Sequence, residues 1–324
     1  MFEKMINLIR GKQNKLVFTE GTDLRILTAA EKLQKEELLV PVLLGNVEEI
    51  KAVAEKNSID LTGMELIDPL SFPQRGEMVA KMVELRKGKM DEAQCEEALK
   101  KANYFGTMLV KMGYARGLLG GATYSTADTV RPALQIIKTK PGCNIVSSSF
   151  ILNREGAAGS ERYAMADCAI NLFPTADELV EITTETAKTA RLFGIEPKVA
   201  MLSFSTMGSG KGESVDKVRE AAEKLKAMNP DLVVDGEVQF DAASAPEVGK
   251  LKAPSSKVAG EANTFIFPDI NAGNIGYKIA QRLGGFEALG PILQGLNAPI
   301  NDLSRGCNAE EVYKMAIITV ALAE

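Results

Sequence analysis

Short apolar runs alternate with longer segments in which apolar residues recur every three or four positions, and this alternation persists along nearly the whole chain. The first pattern predicts strands buried on both faces and the second predicts amphipathic helices. Leu16–Phe18 reads as a strand followed by a helix over Leu24–Lys35; Pro41–Leu44 is the next strand, with a helix starting at Val47. Arg75–Lys87, Asp91–Ala102 and Tyr104–Met112 have helical spacing, Gly117–Ala122 reads as a buried strand, and Thr126–Lys138 as the helix after it.

The pattern restarts after the turn-rich stretch Lys138–Gly142. Strands are expected at Asn144–Leu152, Cys168–Leu172, Val199–Phe204, Leu232–Val234 and Thr264–Phe267, with helices including Asp177–Phe193, Ser214–Met228 and Asn274–Leu283. A final helix, Glu310–Ala323, has too little chain around it to form a domain and is expected to fold back on the first one. Alternating β and α elements give an α/β fold, here a two-domain α/β/α architecture with parallel-rich sheets. Domain I is expected to hold residues 1–142 and 300–324, and domain II residues 143–299.

The run Gly290–Cys307, GPILQGLNAPINDLSRGC, departs from the pattern. Gly290, Pro291, Gly295, Pro299 and Gly306 interrupt both helical and strand periodicity, so loop backbone is expected throughout. Asn308 followed by Glu311 and an apolar-periodic segment predicts a capping box opening the last helix. Arg305, beside Ser304, then lies next to a helix N-terminus, where free N–H groups and the helix dipole favour an anion. Two readings stay open on spacing alone: an anion site, or a turn whose Arg pairs with a surface carboxylate.

Composition narrows the chemistry. The chain has 324 residues with a formal net charge of -5, so no broad basic field recruits nucleic acid and an anionic substrate must be held by a local basic cluster. The 4 cysteines, Cys95, Cys143, Cys168 and Cys307, form no CxxC pair, and 0 His leaves the usual zinc patterns unavailable. No metal site is expected. Without His, neither a Ser-His-Asp nor a Cys-His arrangement can be built, so a proton acceptor must be Asp, Glu, Lys, Tyr, Cys or the substrate's own phosphate. Charged residues interrupt the apolar N-terminus, and no stretch reaches the roughly 18 to 20 apolar residues of a membrane span, so a cytoplasmic protein that does not engage a membrane is expected.

Further loops repeat the anion-binding logic. Ser203–Lys211 follows a strand and precedes a helix, where α/β proteins bind ligands. It fails as a Walker A loop, since Ser205 stands where the first Gly belongs and Gly212 where Ser or Thr should follow Lys211. Ser125–Pro132, with its small hydroxyls and Arg131, and Gly21–Arg25 are placed in the same way after earlier strands. Arg86 ends a helix within a basic cluster. Cys307, beside Arg305, is a candidate for a lowered pKa, although a bystander thiol is the simpler reading.

Gly290–Cys307, Val199–Thr206, Ser125–Pro132, Gly260–Thr264 and Asn274–Lys278 together resemble the phosphate acetyltransferase (phosphotransacetylase) family over essentially the whole chain. The resemblance implies an isocitrate-dehydrogenase-like pair of α/β domains with a cleft between them, usually as a homodimer. It implies reversible transfer of acetyl between acetyl phosphate and coenzyme A, with phosphate as the other product and no cofactor beyond the coenzyme substrate. By resemblance Arg305 holds the acetyl phosphate, Ser304 donates to the reacting carbonyl or thiol, and Glu311 aligns with the acidic residue that is the thiol base, usually Asp in relatives. Arg86 and Arg131 hold anionic parts of the substrates, and Ser125, Thr126, Ser205, Thr206 and Lys257 complete the substrate-binding set. Alternative activities are a phosphate butyryltransferase, which needs a larger acyl pocket, and a non-catalytic acetyl-CoA-sensing module.

Overall fold

Leu16, Val17 and Phe18 have no exposed surface, the condition expected of a strand at the centre of a parallel sheet covered by helices on both faces. The computed structural model describes residues 2–156 and 159–324. It divides into two compact units, Met1–Gly142 with Leu296–Glu324, and Cys143–Gly295.

The first unit begins with α1 (Phe2–Ile9), β1 (Lys15–Phe18), α2 (Leu24–Lys35), β2 (Val40–Leu44), α3 (Val47–Lys56) and β3 (Glu65–Ile67). It continues through α4 (Arg75–Arg86), α5 (Glu92–Ala98), α6 (Ala102–Lys111), β4 (Gly117–Gly120) and α7 (Thr126–Pro132), which runs into a π-helical turn, Ala133–Ile137. The second unit contains β5 (Ser147–Gly156), β6 (Gly159–Ala166), α8 (Ala176–Leu192), β7 (Lys198–Leu202), α9 (Glu213–Met228) and β8 (Val233–Val238). Then follow α10 (Phe240–Ser244), α11 (Pro246–Lys252), β9 (Thr264–Ile266), α12 (Ile270–Arg282) and β10 (Glu287–Gln294), before β11 (Ile300–Asp302) and α13 (Ala309–Ala321) rejoin the first unit.

In the first unit the strands order β11-β4-β1-β2-β3, and every pairing is parallel. The apolar residues of β1, β2 and β4 meet Met78, Phe105 and Met108 from α4 and α6, and the returning segment adds Leu296, Ala298 and Ile300 to the same core. That packing brings the chain back to the first unit at Leu296 rather than at residue 300. α13 docks onto this unit, against α1 and α2.

The second unit orders its strands β10-β5-β6-β9-β7-β8. Pairings β6–β9, β9–β7 and β7–β8 are parallel, whereas β10–β5 and β5–β6 are antiparallel. The strand expected over Cys168–Leu172 is absent; the strand is β6, immediately before it. Asp167 accepts the amides of Ala169 at 3.0 Å, Ile170 at 3.2 Å and Asn171 at 3.0 Å, which curls that segment into bends. β6 escapes an apolar-run search because its first half is polar and pairs with the polar end of β5, where Arg154 meets Glu161 at 2.7 Å.

The Gly290–Cys307 run is also not loop throughout. β10 passes through Gly290 and Pro291, and β11 follows Pro299. Pro291 is tolerated because β10 is an edge strand and its register shifts between Leu289 and Ile292, a bulge at which the missing N–H costs no ladder bond.

Candidate active site

The chain lays β2 and β3 on one side of β1, then places β4 and β11 on the other. Such a reversal opens a crevice outside the carboxyl ends of the strands, the place where open parallel sheets bind ligands. The loops leaving β1, β4 and β11 all emerge there, and they carry three of the segments singled out by sequence: Gly21–Arg25, the approach to Ser125–Pro132, and Asn301–Cys307.

Buried polar groups stitch these loops together. The Glu20 carboxylate accepts from the amides of Gly121 at 3.0 Å and Thr123 at 3.2 Å, and from the Thr19 hydroxyl at 2.7 Å. Burial pushes its carboxyl upward, and these bonds offset only part of that. Asp302, 1% exposed, accepts from Thr126 Oγ1 and Thr129 Oγ1, each at 2.6 Å, and burial likewise raises its carboxyl. Gly121 is required beside it, since φ is +98° and an added Cβ would stand 2.2 Å from Asp302 Oδ1. Tyr124 hydrogen-bonds Thr19 at 2.8 Å, and burial raises its phenol.

Arg25 is not an anion ligand in waiting. Its Nε and Nη2 donate to the two carboxylate oxygens of Asp23 at 3.0 and 2.7 Å, Nη2 also to the Ala122 carbonyl at 2.9 Å, and Nη1 to the carbonyls of Arg305 at 2.9 Å and Cys307 at 3.1 Å. A guanidinium has five N–H donors, and all are taken. The expectation that Gly21–Arg25 repeats the phosphate-loop logic is therefore corrected: this loop clamps protein, not ligand.

The hydroxyls expected to reach substrate are redirected in the same way. Ser125 Oγ donates to Asp128 at 2.7 Å and Thr126 to Asp302. In the second unit Ser205, fully buried, donates to Glu237 at 2.8 Å and accepts from the Gly210 amide, while Thr206 donates to the Gln239 side chain at 3.0 Å. A hydroxyl has one proton, so none of these four donates to a phosphate without giving up an internal carboxylate or amide oxygen. In this structure they tie the loops together.

The arginines behave oppositely. Arg305 is exposed and, among the described residues, its guanidinium has no hydrogen bond or ion pair, which removes the surface-pair reading. Ser304 is exposed beside it; its Oγ accepts from the Gly306 amide at 3.3 Å and keeps its own proton available. Arg131 is exposed and its guanidinium likewise makes no hydrogen bond or ion pair among the described residues, though its charge lowers the carboxyl of Asp128. Arg86 donates from Nη1 to the Gln135 carbonyl at 3.2 Å, but its buried Nε has no partner. The charges of both reach Tyr104, whose hydroxyl donates to Gln135 at 2.9 Å: burial pushes that phenol up, while Arg131 and Arg86 pull it down.

The capping box forms as expected. Asn308 Oδ1 accepts the Glu311 amide at 2.9 Å, and Glu311 Oε2 accepts the Asn308 amide at 3.1 Å. Glu311 Oε1 has no partner among the described residues. Cys307 is buried, and burial pushes its thiol up to about 11 despite the pull of Arg25, so the idea of a lowered pKa is corrected.

In the second unit the Ser203–Lys211 loop is organised by Glu237, 1% exposed, which accepts from Ser205, from the Gly208 amide at 2.7 Å and from Arg219 at 3.0 and 3.1 Å. Burial pushes this carboxyl up, but Arg219, the Gly208 amide and Ser205 outweigh it and bring it down to about 2. Its folded pKa lies below the ordinary 4.5, so its contribution to stability is complete above that value and is lost as pH falls toward about 2. Glu237→Gln should cost roughly 2 kcal/mol at neutral pH in urea unfolding and flatten the acid limb between those values. An unchanged acid limb would remove Glu237 from that role. Lys257 is not brought to this loop. It lines a depression of about 370 Å³ with Lys226, Pro230 and Ser255 along the amino-terminal half of β8, whereas the loop contacts the carboxyl end.

Sequence reasoning missed Asp302 and Glu20, and misread Arg25. One signal was present: Asp302 stands two residues before Ser304, between the apolar Ile300 and Leu303, a poor place for a carboxylate unless it is bonded.

Residues 1–320 match the family described as phosphate acetyl/butaryl transferase. The chain is 54% identical over 323 residues to the phosphate acetyltransferase of Bacillus subtilis (strain 168), covering 100% of this chain and 99% of that protein. A solved phosphotransacetylase from Streptococcus pyogenes superposes with a TM-score of 0.95 at 56% identity, covering 99% of this chain and 97% of its own. EutD phosphotransacetylase from Staphylococcus aureus superposes with a TM-score of 0.90 at 50% identity, covering 100% and 98%.

Proposed function

Because the chain belongs to the phosphate acetyl/butaryl transferase family and is an acyltransferase of the phosphate acetyltransferase type, we propose that acetyl moves between acetyl phosphate and coenzyme A by direct attack of the coenzyme thiolate, with both substrates bound together. The observation that carries this is the Ser304–Arg305 loop: an exposed guanidinium with no protein partner, beside a free hydroxyl proton, on a loop tied to the switch point of a parallel sheet. Acetyl phosphate is already activated, so the site needs a clamp for its charge, a donor to the developing oxyanion and an acceptor for the thiol proton. Arg305 supplies the clamp and Ser304 the donor. Glu311 takes the proton through Oε1 while Oε2 caps α13.

A covalent route has little to work with. The chain has 0 His, and the Cys307 thiol lies at about 11 beside fully engaged Arg25. Enzyme incubated with labelled acetyl phosphate alone should carry no label after denaturation and gel filtration. Stoichiometric label on the protein would sink the direct-attack mechanism.

The charges of Arg86 and Arg131 both act on Tyr104, and the two guanidiniums are assigned to coenzyme A, the substrate that carries several charges. No further organic group or metal is assigned to the reaction. The homodimer belongs to this proposal. Ile275, Ile279 and Leu283 fall on one face of α12 and its C-cap and are 57%, 53% and 85% exposed, an apolar stripe suited to a second copy. Sedimentation equilibrium should give twice the chain mass; a monomer at micromolar concentration would remove the dimer. No helix of the described residues is long and apolar enough to cross a membrane.

A further inference from the structure

Arg305 can clamp a substrate only if its backbone is held, yet Ser304, Arg305 and Gly306 are all exposed. Within the turn Gly306 N donates to Ser304 Oγ at 3.3 Å and Cys307 N to the Ser304 carbonyl at 2.9 Å. The firm restraint comes from the other end of the chain. We propose that Arg25 is a positioning residue for acetyl transfer, which fixes Arg305 by holding the main-chain carbonyls on both sides of Gly306. This rests on the reading of Ser304–Arg305 as the transfer site.

A single nitrogen, Nη1, carries both of those bonds, at 2.9 and 3.1 Å, and Nη2 holds the Ala122 carbonyl at 2.9 Å in the same plane. The loops after β1, β4 and β11 are thereby joined through one rigid fork. The fork is itself held: Asp23 grips it with both oxygens, and Asp23 is also the N-cap of α2, accepting the Arg25 amide at 2.9 Å. Arg25 therefore transmits the position of a helix packed against α13 to the backbone of Arg305. The planar guanidinium is essential to this, because a lysine ammonium offers three donors from one atom and cannot span Asp23, Ala122 and the turn together.

Two competing roles give different results. As a direct ligand, Arg25 would have to release a carbonyl or Asp23 to bind an anion, and its loss would raise a substrate KM. As a purely structural residue, its loss would lower stability and leave the catalytic step of the folded enzyme intact. The test uses full-length Arg25→Lys, Arg305→Gln and the double variant, with kcat, both KM values and the thermal midpoint measured for each. Positioning predicts that Arg25→Lys lowers kcat on the order of 10-fold, with both KM values within about twofold, since displacement of a positioned group acts on the reacting geometry. In the Arg305→Gln background the same change should cost less than about twofold more, because the two act as one unit.

Asp23→Asn is the second variant. Asn preserves the α2 cap but removes one grip on the fork, so it should lower kcat by a smaller factor, about threefold, at nearly unchanged thermal midpoint. Parent-like kcat in Arg25→Lys and Asp23→Asn, a selective rise in one KM, or a full multiplicative loss in the double variant would each overturn the proposal. If Arg305→Gln is silent, the loop itself is not the transfer site, and the reading on which the proposal rests fails with it.

Discussion

Glu311→Gln should lower kcat for acetyl-CoA formation by at least about 100-fold while leaving the thermal midpoint unchanged, as expected for removal of a general base. The substitution separates the capping role seen in the structure from the base role proposed for the same carboxylate. Gln at the third helical position completes a capping box as Glu does, so the bond from the Asn308 amide to Oε2 keeps its counterpart. What Gln lacks is a second oxygen able to take a proton. Oε1 is the oxygen with no partner among the described residues, so its loss disturbs no protein contact. Turnover within about threefold of the parent would confine Glu311 to the cap and leave the substrate's phosphate as the acceptor, since a base is worth far more than that.

Arg305→Gln should cost roughly 2 to 3 kcal/mol of transition-state stabilisation, about 30- to 150-fold in kcat/KM, the scale of a lost charge-assisted clamp. Stability should hardly change, because the exposed guanidinium bonds to nothing in the protein. The coenzyme KM should also hold, since the charged part of that substrate is assigned to Arg86 and Arg131. Arg131→Gln should give the reverse pattern, raising the coenzyme KM while sparing that for acetyl phosphate. Near-normal kcat/KM in Arg305→Gln would return this residue to an ordinary surface charge. The two profiles are read from the same assay, initial rates with each substrate varied in turn.

The residues themselves explain why some of this was legible and some was not. The capping box at Asn308 and Glu311 is written within four consecutive positions, so local spacing reveals it. The helices α2, α8 and α9 announce themselves by period, and β1 by an unbroken apolar run. β6 was lost because half of it is polar, its partner being the polar end of β5 rather than a helix. β10 was lost because Pro291 argues against a strand unless the strand is known to lie at an edge and to bulge there.

The candidate site divides along the same line. The family motif points to Ser304, Arg305, Arg86 and Arg131; the guanidiniums of Arg305 and Arg131 make no internal hydrogen bond and that of Arg86 makes one, to Gln135, so donors remain open to a ligand. Small hydroxyls fare worse. Ser125, Thr126, Ser205 and Thr206 looked equally fit for phosphate, yet each donates its one proton to Asp128, Asp302, Glu237 or Gln239. Composition and spacing cannot rank those acceptors against a substrate.

The sequence by itself determined the alternating β and α pattern of both units, though not β6 or β10, together with the motif at Ser304–Cys307, the capped start of the last helix, and the exclusion of His-based catalysis. Those are properties of neighbouring residues or of the whole inventory. Only the tertiary structure decided which polar groups are spent and which are free. Arg25 meets carbonyls 280 and 282 positions away, and Thr126 meets a carboxylate 176 positions away. A polar group buried by folding must find a partner wherever the chain brings one, and hydrogen-bond capacity is finite, so the same arginine that reads as a ligand in sequence becomes the clamp that holds another arginine in place.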